Sequence, residues 1–429
     1  MEKYSVKRIT EKKDIHVTVP GSKSITNRAL MLAAMSDGKC ILDGVLFSDD
    51  SRAFLDCLVK LGFQVDIHEK ECSVCIQGEN GNIPNRNAEI HVRSAGTAAR
   101  FMTVFLAVAG GDYVLKSSEQ MKKRPMKELL DALIENGVEI KYLEKEGHFP
   151  FEIHSKGIGN VEVTIDTTRS SQYASALLMA AVINGMTIHL TGSRVDGAYI
   201  HITTKMMKQF GIDFKRQGDT YIIPPAKYNC AKYDVEPDMS AACYFYAMAA
   251  ILKTKAVVKE IHMDSMQGDV KFLNVLQTLG CKIIDTSAGV LVDGTAIKEY
   301  DGIEIDMSDF SDQALTMAVV AAFANTPTII QNIGHIRGQE SDRVSVIVNE
   351  LKAIGCGAEM IEHDGQTDVK ICPGNLHGAE IETYEDHRVA MSFALAGLVV
   401  DGIIIKNPMC CKKTFENYFD VLDEITGKN

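Results

Sequence analysis

One pattern recurs six times along this chain at nearly constant spacing: a polar loop, a helix-length apolar run, Gly or a turn, then a β-rich stretch. The apolar runs open at Ser24, Thr97, Ser171, Ser240, Asp312 and Asp386, with steps of 73, 74, 69, 72 and 74 residues. Such a period marks a chain assembled from copies of one supersecondary unit.

A second marker follows each of the first five runs. Amphipathic stretches end at Gly62, Gly137, Gly211, Gly280 and Gly355, the position just past a helix where positive φ is cheap. Strand-like segments follow, at 63–67 and 138–142 for instance, so each unit reads β-α-β-α-β-β. The first helix of each unit is apolar nearly all round, as a helix buried on every side must be, whereas the second keeps a charged face for water. The sixth unit is incomplete, with one more helix expected at 415–425. Two N-terminal strands, 4–9 and 15–19, have no unit of their own and are expected to supply the missing pieces, which brings the chain ends into one domain.

Length supports the same division: 429 residues suggest about two or three domains, and six units divide as three plus three. Hydrophobic content of 46% with 24% charge excludes a disordered chain. The opening residues lack an apolar signal core and the apolar runs are too short and interrupted to span a membrane, so a cytoplasmic protein without membrane association is expected. Eleven scattered cysteines, an odd number, point to reduced thiols. Cys72 and Cys75 have CxxC spacing but no second pair, so no metal is expected. With 45 basic against 57 acidic residues the formal charge is −12, which argues against nucleic acid as a partner. Any anionic ligand must be held by a local cluster.

The loops before the buried helices differ from copy to copy. In the first, Pro20-Gly-Ser-Lys-Ser-Ile-Thr-Asn-Arg28 sets Lys23, Ser24 and Arg28 around a helix start, where free N–H groups favour anions. It is not a P-loop, because Ser22 separates Gly21 from Lys23 and the earlier Gly is missing. Small residues open the second loop, Arg93-Ser-Ala-Gly-Thr-Ala-Ala-Arg100, and a basic turn, Lys122-Lys-Arg-Pro-Met126, lies downstream. The third offers Ser170, Ser171 and Gln172 at a helix start. In the C-terminal half, Asp312, the run Ile336-Arg-Gly-Gln-Glu-Ser-Asp-Arg343, Tyr384-Glu-Asp-His-Arg388 and Lys412-Lys-Thr-Phe415 bring acids and bases to equivalent helix ends. Singly, each reads as a capped helix or an ion-paired turn. Three-fold packing in each half would converge them on one cleft.

These motifs resemble those of the 5-enolpyruvylshikimate-3-phosphate synthase family across essentially the whole chain: Pro20 to Ala29, Ala95-Gly-Thr-Ala, Arg124-Pro, Ser170-Ser-Gln, Glu340-Ser-Asp-Arg343, Tyr384-Glu-Asp-His-Arg388 and Lys413-Thr-Phe. The resemblance implies an α/β fold of two domains, each of three β-α-β-α-β-β repeats with buried central helices. Residues 1–20 plus 238–429 would form one domain and 21–237 the other, with the active site in the cleft between them. The implied reaction moves the enolpyruvyl group of phosphoenolpyruvate to the 5-hydroxyl of shikimate 3-phosphate and releases phosphate, with no cofactor. A monomer is expected.

By that resemblance, Lys23, Gly96, Arg124, Gln172, Arg343, Arg388 and Lys413 bind phosphoenolpyruvate. Lys23, Ser24, Arg28, Ser170, Ser171, Gln172, Tyr199 and Asp312 bind shikimate 3-phosphate. The catalytic assignments are Glu340 as acid toward C3, Asp312 as base on the hydroxyl and Lys23 at the leaving phosphate. Gly96 implies inhibition by glyphosate.

The chain departs from the family pattern at Gln339, where Lys is usual, at His335, where Asn is usual, and at Asp196-Gly-Ala-Tyr199, which replaces a Ser-x-Pro-Tyr turn. These positions lie on the acceptor side, so acceptor affinity is expected to be weakened or altered. Ser94 and Phe101 replace the usual Asn and Pro beside the Gly96 loop. The competing readings are an enolpyruvyl transferase acting on UDP-N-acetylglucosamine, which normally has a Cys before its Arg-Pro turn, a paralogue with a different cyclic acceptor, and a non-catalytic anion-binding protein. The last would have no use for Asp312 and Glu340.

Overall fold

The computed structural model describes residues 2–427. Residues 21–236 form one compact unit, and residues up to 20 together with those from 237 onward form the other. The architecture is mixed α/β with six small sheets, five of four strands and one of three.

All five larger sheets share one topology, which is the repeat made visible. In the second copy, Asn87–His91 runs parallel to Gly111–Lys116, which pairs antiparallel with Phe151–Ser155, itself antiparallel to Glu139–Tyr142. The buried helix Gly96–Ala109 connects the first two strands. The parallel pairing demands that crossover, and the loop entering the helix leaves the carboxyl end of the leading strand. Candidate site residues sit at or near the starts of the buried helices in every copy but the fourth.

Residues 21–236 contain three copies. The first buried helix, Lys23–Met35, and the third, Ser171–Ala180, both pack on the second, Gly96–Ala109. Strand Ser73–Glu79 shows why the sheets cover them: Val74, Ile76 and Gly78 are buried while the alternate residues are less so, the period-two pattern of a sheet with one covered face.

In the other unit, helices Met239–Leu252, Ala314–Ala321 and His387–Gly397 each pack on the other two. Every residue of Met239–Leu252 except Ser240 is buried, and five alanines along it keep the helix surface thin enough for close approach on all sides. The second helices are half-exposed, as the pattern predicts; Arg343–Ala353 ends at Gly355, whose φ is +87°. A β-carbon there would also meet the Asn375 carbonyl oxygen at 2.3 Å, so both conformation and space select Gly.

The N-terminal strands divide their work in a way the repeat alone does not reveal. Lys3–Ser5 pairs antiparallel with Ile404–Lys406 and completes the sixth copy, and Tyr4 packs on Phe419 with ring centroids 4.4 Å apart. Ile15–Val17 instead runs parallel to Lys255–Val258 and serves as the leading strand of the fourth copy. The fourth copy needs it because the strand preceding its helix, Lys232–Asp234, runs parallel to Asp37–Asp43 and leads the first copy. Each half is thus closed by a strand from beyond its own consecutive repeats.

Candidate active site

In the unit formed by residues 21–236, the helix starts carry the predicted residues. The N-caps Ser22 and Ala95 make no side-chain cap to the helices beginning at Lys23 and Gly96, leaving first-turn N–H groups as electropositive ends. Ser170 does cap its helix, accepting from the Gln172 amide nitrogen at 3.3 Å. The Gln172 Oε1 is buried with no hydrogen-bond partner. Lys23 lies 4.0 Å from Asp50 Oδ2.

Arg28 is the most unusual group here, at 1% exposure. Its guanidinium donates to Thr203 Oγ1 at 2.7 Å, the Ser24 carbonyl at 2.9 Å, Ser175 Oγ at 3.0 Å and the Tyr199 carbonyl at 3.2 Å. It also lies over the rings of Phe101, 5.4 Å from the centroid, and Tyr199, at 5.9 Å. None of these partners carries a negative charge. Burial accordingly pushes its pKa down to about 10. Arg28 thus joins the Ser24 and Tyr199 carbonyls, and Phe101, where the family usually has Pro, supplies one face of the guanidinium's stack.

Gly96 and Arg124 form a second pair, with the guanidinium against the glycine. Tyr173, on the helix that begins at Ser171, donates its hydroxyl to the Pro125 carbonyl at 2.8 Å. That bond fastens the Ser170–Gln172 helix start to the Arg124-Pro125 turn.

In the other unit the predicted residues meet in one ion network. Arg343, 1% exposed, donates to Asp312 Oδ1 at 2.9 Å, Glu340 Oε2 at 3.0 Å and Asp386 Oδ2 at 2.8 Å. Arg388 donates to Asp312 Oδ2 at 2.9 Å, and Lys413 lies 2.9 Å from Glu340 Oε1. Desolvation works against the Arg343 charge, but its three carboxylate partners outweigh it and raise the pKa. One guanidinium therefore spaces both candidate catalytic carboxylates.

Several participants escaped the sequence reading. Asp386, fully buried, also accepts from Ser341 Oγ at 2.9 Å and caps the Arg388 amide at 3.0 Å; its place just before a helix was the available signal. Ser240, which opens the fourth apolar run, carried a similar signal; Asp269 and Gln313 carried none, since their meeting joins the fourth copy of the repeat to the fifth. At the departures, His335 Nε2 is 2.7 Å from Ser311 Oγ. Asp196 takes Arg216 at 2.8 Å and His201 at 3.3 Å, and Ser94 pairs with Ser118 at 2.7 Å. Among the described residues, no side-chain contact explains Gln339. Among the described residues, no group of three or more His, Cys, Asp or Glu is arranged to hold a metal, and no helix is long and apolar enough to cross a membrane.

The family model for EPSP synthase (3-phosphoshikimate 1-carboxyvinyltransferase) matches residues 8–422. A 3-phosphoshikimate 1-carboxyvinyltransferase from Nostoc punctiforme is 38% identical over 98% of each chain. Another from Neisseria meningitidis serogroup B is 37% identical, over 96% of this chain and 95% of that one. The solved EPSP synthase from Acinetobacter baumannii superposes with a TM-score of 0.81 at 22% identity, covering 99% of this chain and 98% of its own. With the family's motifs standing on the buried-helix starts and its model spanning nearly every residue, this chain belongs to the EPSP synthase family.

Proposed function

We propose that this enzyme transfers the enolpyruvyl group of phosphoenolpyruvate to the 5-hydroxyl of shikimate 3-phosphate, the carboxyvinyl transfer of the shikimate pathway, and works in the cytoplasm. The observation that carries this reading is the single buried guanidinium of Arg343 holding Asp312 and Glu340 side by side. A protein that merely bound anions would gain nothing by surrounding its cations with carboxylates. A reaction needing one acid and one base does.

In the addition step, Asp312 takes the proton of the acceptor hydroxyl while its oxygen bonds to C2 of phosphoenolpyruvate, and C3 receives a proton from Glu340. Elimination then returns a proton from the new methyl group to the Glu340 carboxylate and breaks the C2–O bond to phosphate, which leaves beside Lys23. Arg124, Arg343, Arg388 and Lys413 supply guanidinium forks and an ammonium for the donor's carboxylate and phosphate. Gly96 allows the backbone close to the donor, and Gln172 offers its unpartnered oxygen to a ligand donor group.

For the acceptor, Arg28 is the natural counter-ion of a carboxylate, because its charge is buried among neutral groups. Ser24 and Tyr199 accompany it, and Ser170, Ser171 and Gln172 serve the phosphate and ring. Asp196 and His335 bring an acid and an imidazole to positions where the family has neutral side chains, which supports a weakened grip on the acceptor. An ordinary Michaelis constant for shikimate 3-phosphate would refute that last point.

The test is phosphate release from phosphoenolpyruvate with and without shikimate 3-phosphate, with Asp312→Ala and Glu340→Ala alongside. Acceptor-dependent release that collapses in both variants is expected. No release with any acceptor overturns the reading.

A further inference from the structure

Asp269 precedes the helix Lys271–Thr278, and its carboxylate is buried with no ion pair to a basic side chain among the described residues. Its Oδ2 accepts from Gln313 Nε2 at 3.1 Å and from the Ser240 hydroxyl. These donors close a ring. The Ser240 hydroxyl is 3.4 Å from Arg388 Nη2, that nitrogen donates to Asp312 Oδ2 at 2.9 Å, and Asp312 is joined to Gln313 by one peptide bond. Starts of all three buried helices of the unit meet in the ring.

We propose that Asp269 is a positioning residue for the reaction assigned above, on which this inference rests: through Ser240 it aims the Arg388 guanidinium, and its negative charge keeps Asp312 able to accept a proton. Asp312 faces two guanidiniums, Arg343 and Arg388, which favour its ionised form and so make it a poor base. Asp269, whose charge interacts with both Asp312 and Arg388, is the anion that opposes them. Burial, first, and the Asp312 charge push Asp269 up to about 6, against the pull of Arg388, Ser240 and Gln313. The two like charges therefore oppose each other. Other polar and titratable groups packed here are Asp238, which caps the helix Met239–Leu252, Cys243 and Tyr244 on that helix, and His335, bonded to Ser311 beside Asp312.

The simpler alternative is that Asp269 only ties three helix starts together. A structural tie affects the amount of folded enzyme; it does not move an acid limb. The experiment measures kcat and KM for phosphoenolpyruvate from about pH 5 to 9 for the full chain as wild type, Asp269→Asn and Ser240→Ala. Asp269→Asn is expected to lower kcat at neutral pH about tenfold and to move the acid limb of the kcat profile about one unit lower, as Asp312 loses its neighbouring anion. Ser240→Ala is expected to raise KM for phosphoenolpyruvate several-fold without moving that limb, because the charge stays and only the aim of Arg388 is lost. An unmoved limb in Asp269→Asn, or an unchanged KM in Ser240→Ala, overturns the proposal while leaving the enzyme's function intact. Should Asp269→Asn not fold, the KM of Ser240→Ala decides alone. A wild type without acceptor-dependent phosphate release overturns the functional reading and this inference with it.

Discussion

A β-carbon on Gly96 would lie 2.8 Å from Nη1 of Arg124 and 3.1 Å from Nη1 of Arg100. The glycine is thus the floor on which the Arg124 guanidinium, the proposed clamp on the donor, rests, and its helix start is left without a side-chain cap. Gly96→Ala is expected to shift the end of Arg124, a flexible side chain, without disturbing the fold. The Michaelis constant for phosphoenolpyruvate should rise about tenfold, equivalent to ~1.4 kcal/mol, with that for shikimate 3-phosphate unchanged. Equal constants for both proteins would remove Arg124 from the donor site.

Arg28 presents a conflict between stability and function. A buried cation with only neutral partners contributes little to folding, since desolvation offsets its hydrogen bonds. Arg28→Met is expected to melt at the wild-type temperature or higher, while the Michaelis constant for the acceptor rises by about two orders of magnitude, ~2.7 kcal/mol. Calorimetry and steady-state kinetics on the same preparation check both halves.

Asp386 and Asp312 both take Arg343, yet their replacements should differ in kind. Asp386 is fully buried and caps a helix, so Asp386→Ala leaves a buried charge short of its partner and is expected to cost about 3–5 kcal/mol of stability. Asp312→Asn keeps the hydrogen-bonding shape and leaves Asp386 in place; it should fold normally and lose on the order of 100-fold or more in phosphate release. Urea denaturation beside the activity assay separates the two outcomes.

The pH dependence of stability should carry the signature of Asp269. Its carboxyl is pushed from 3.8 up to about 6 in the folded protein, so folding favours its neutral form. That contribution is fully present below about pH 4 and is lost as pH rises through about 6. Relative to wild type, Asp269→Asn should become more stable between about pH 4.5 and 7, by roughly 1–3 kcal/mol. A stability difference that does not change with pH would contradict the burial of a titrating group there.

Much of this was legible in the chain. The even steps between Ser24, Thr97, Ser171, Ser240, Asp312 and Asp386 reflect a repeat whose every copy forms its helices from neighbouring residues. Periodicity, caps and glycines report such short-range structure directly. Loop motifs were legible for the same reason: Lys23 to Arg28 and Glu340 to Arg343 are contiguous runs. What only the tertiary structure decided involves partners far apart in sequence. Ile15–Val17 pairs in the fourth copy, and Lys232–Asp234 in the first, because parallel strands are matched by packing and not by adjacency. Among the described residues, Arg28 proved to hydrogen-bond to no carboxylate, and Asp269 to have two donors and no ion pair, facts that no local pattern encodes. A residue's type and spacing set what it can do, but its charge environment is set by whichever distant segments fold against it.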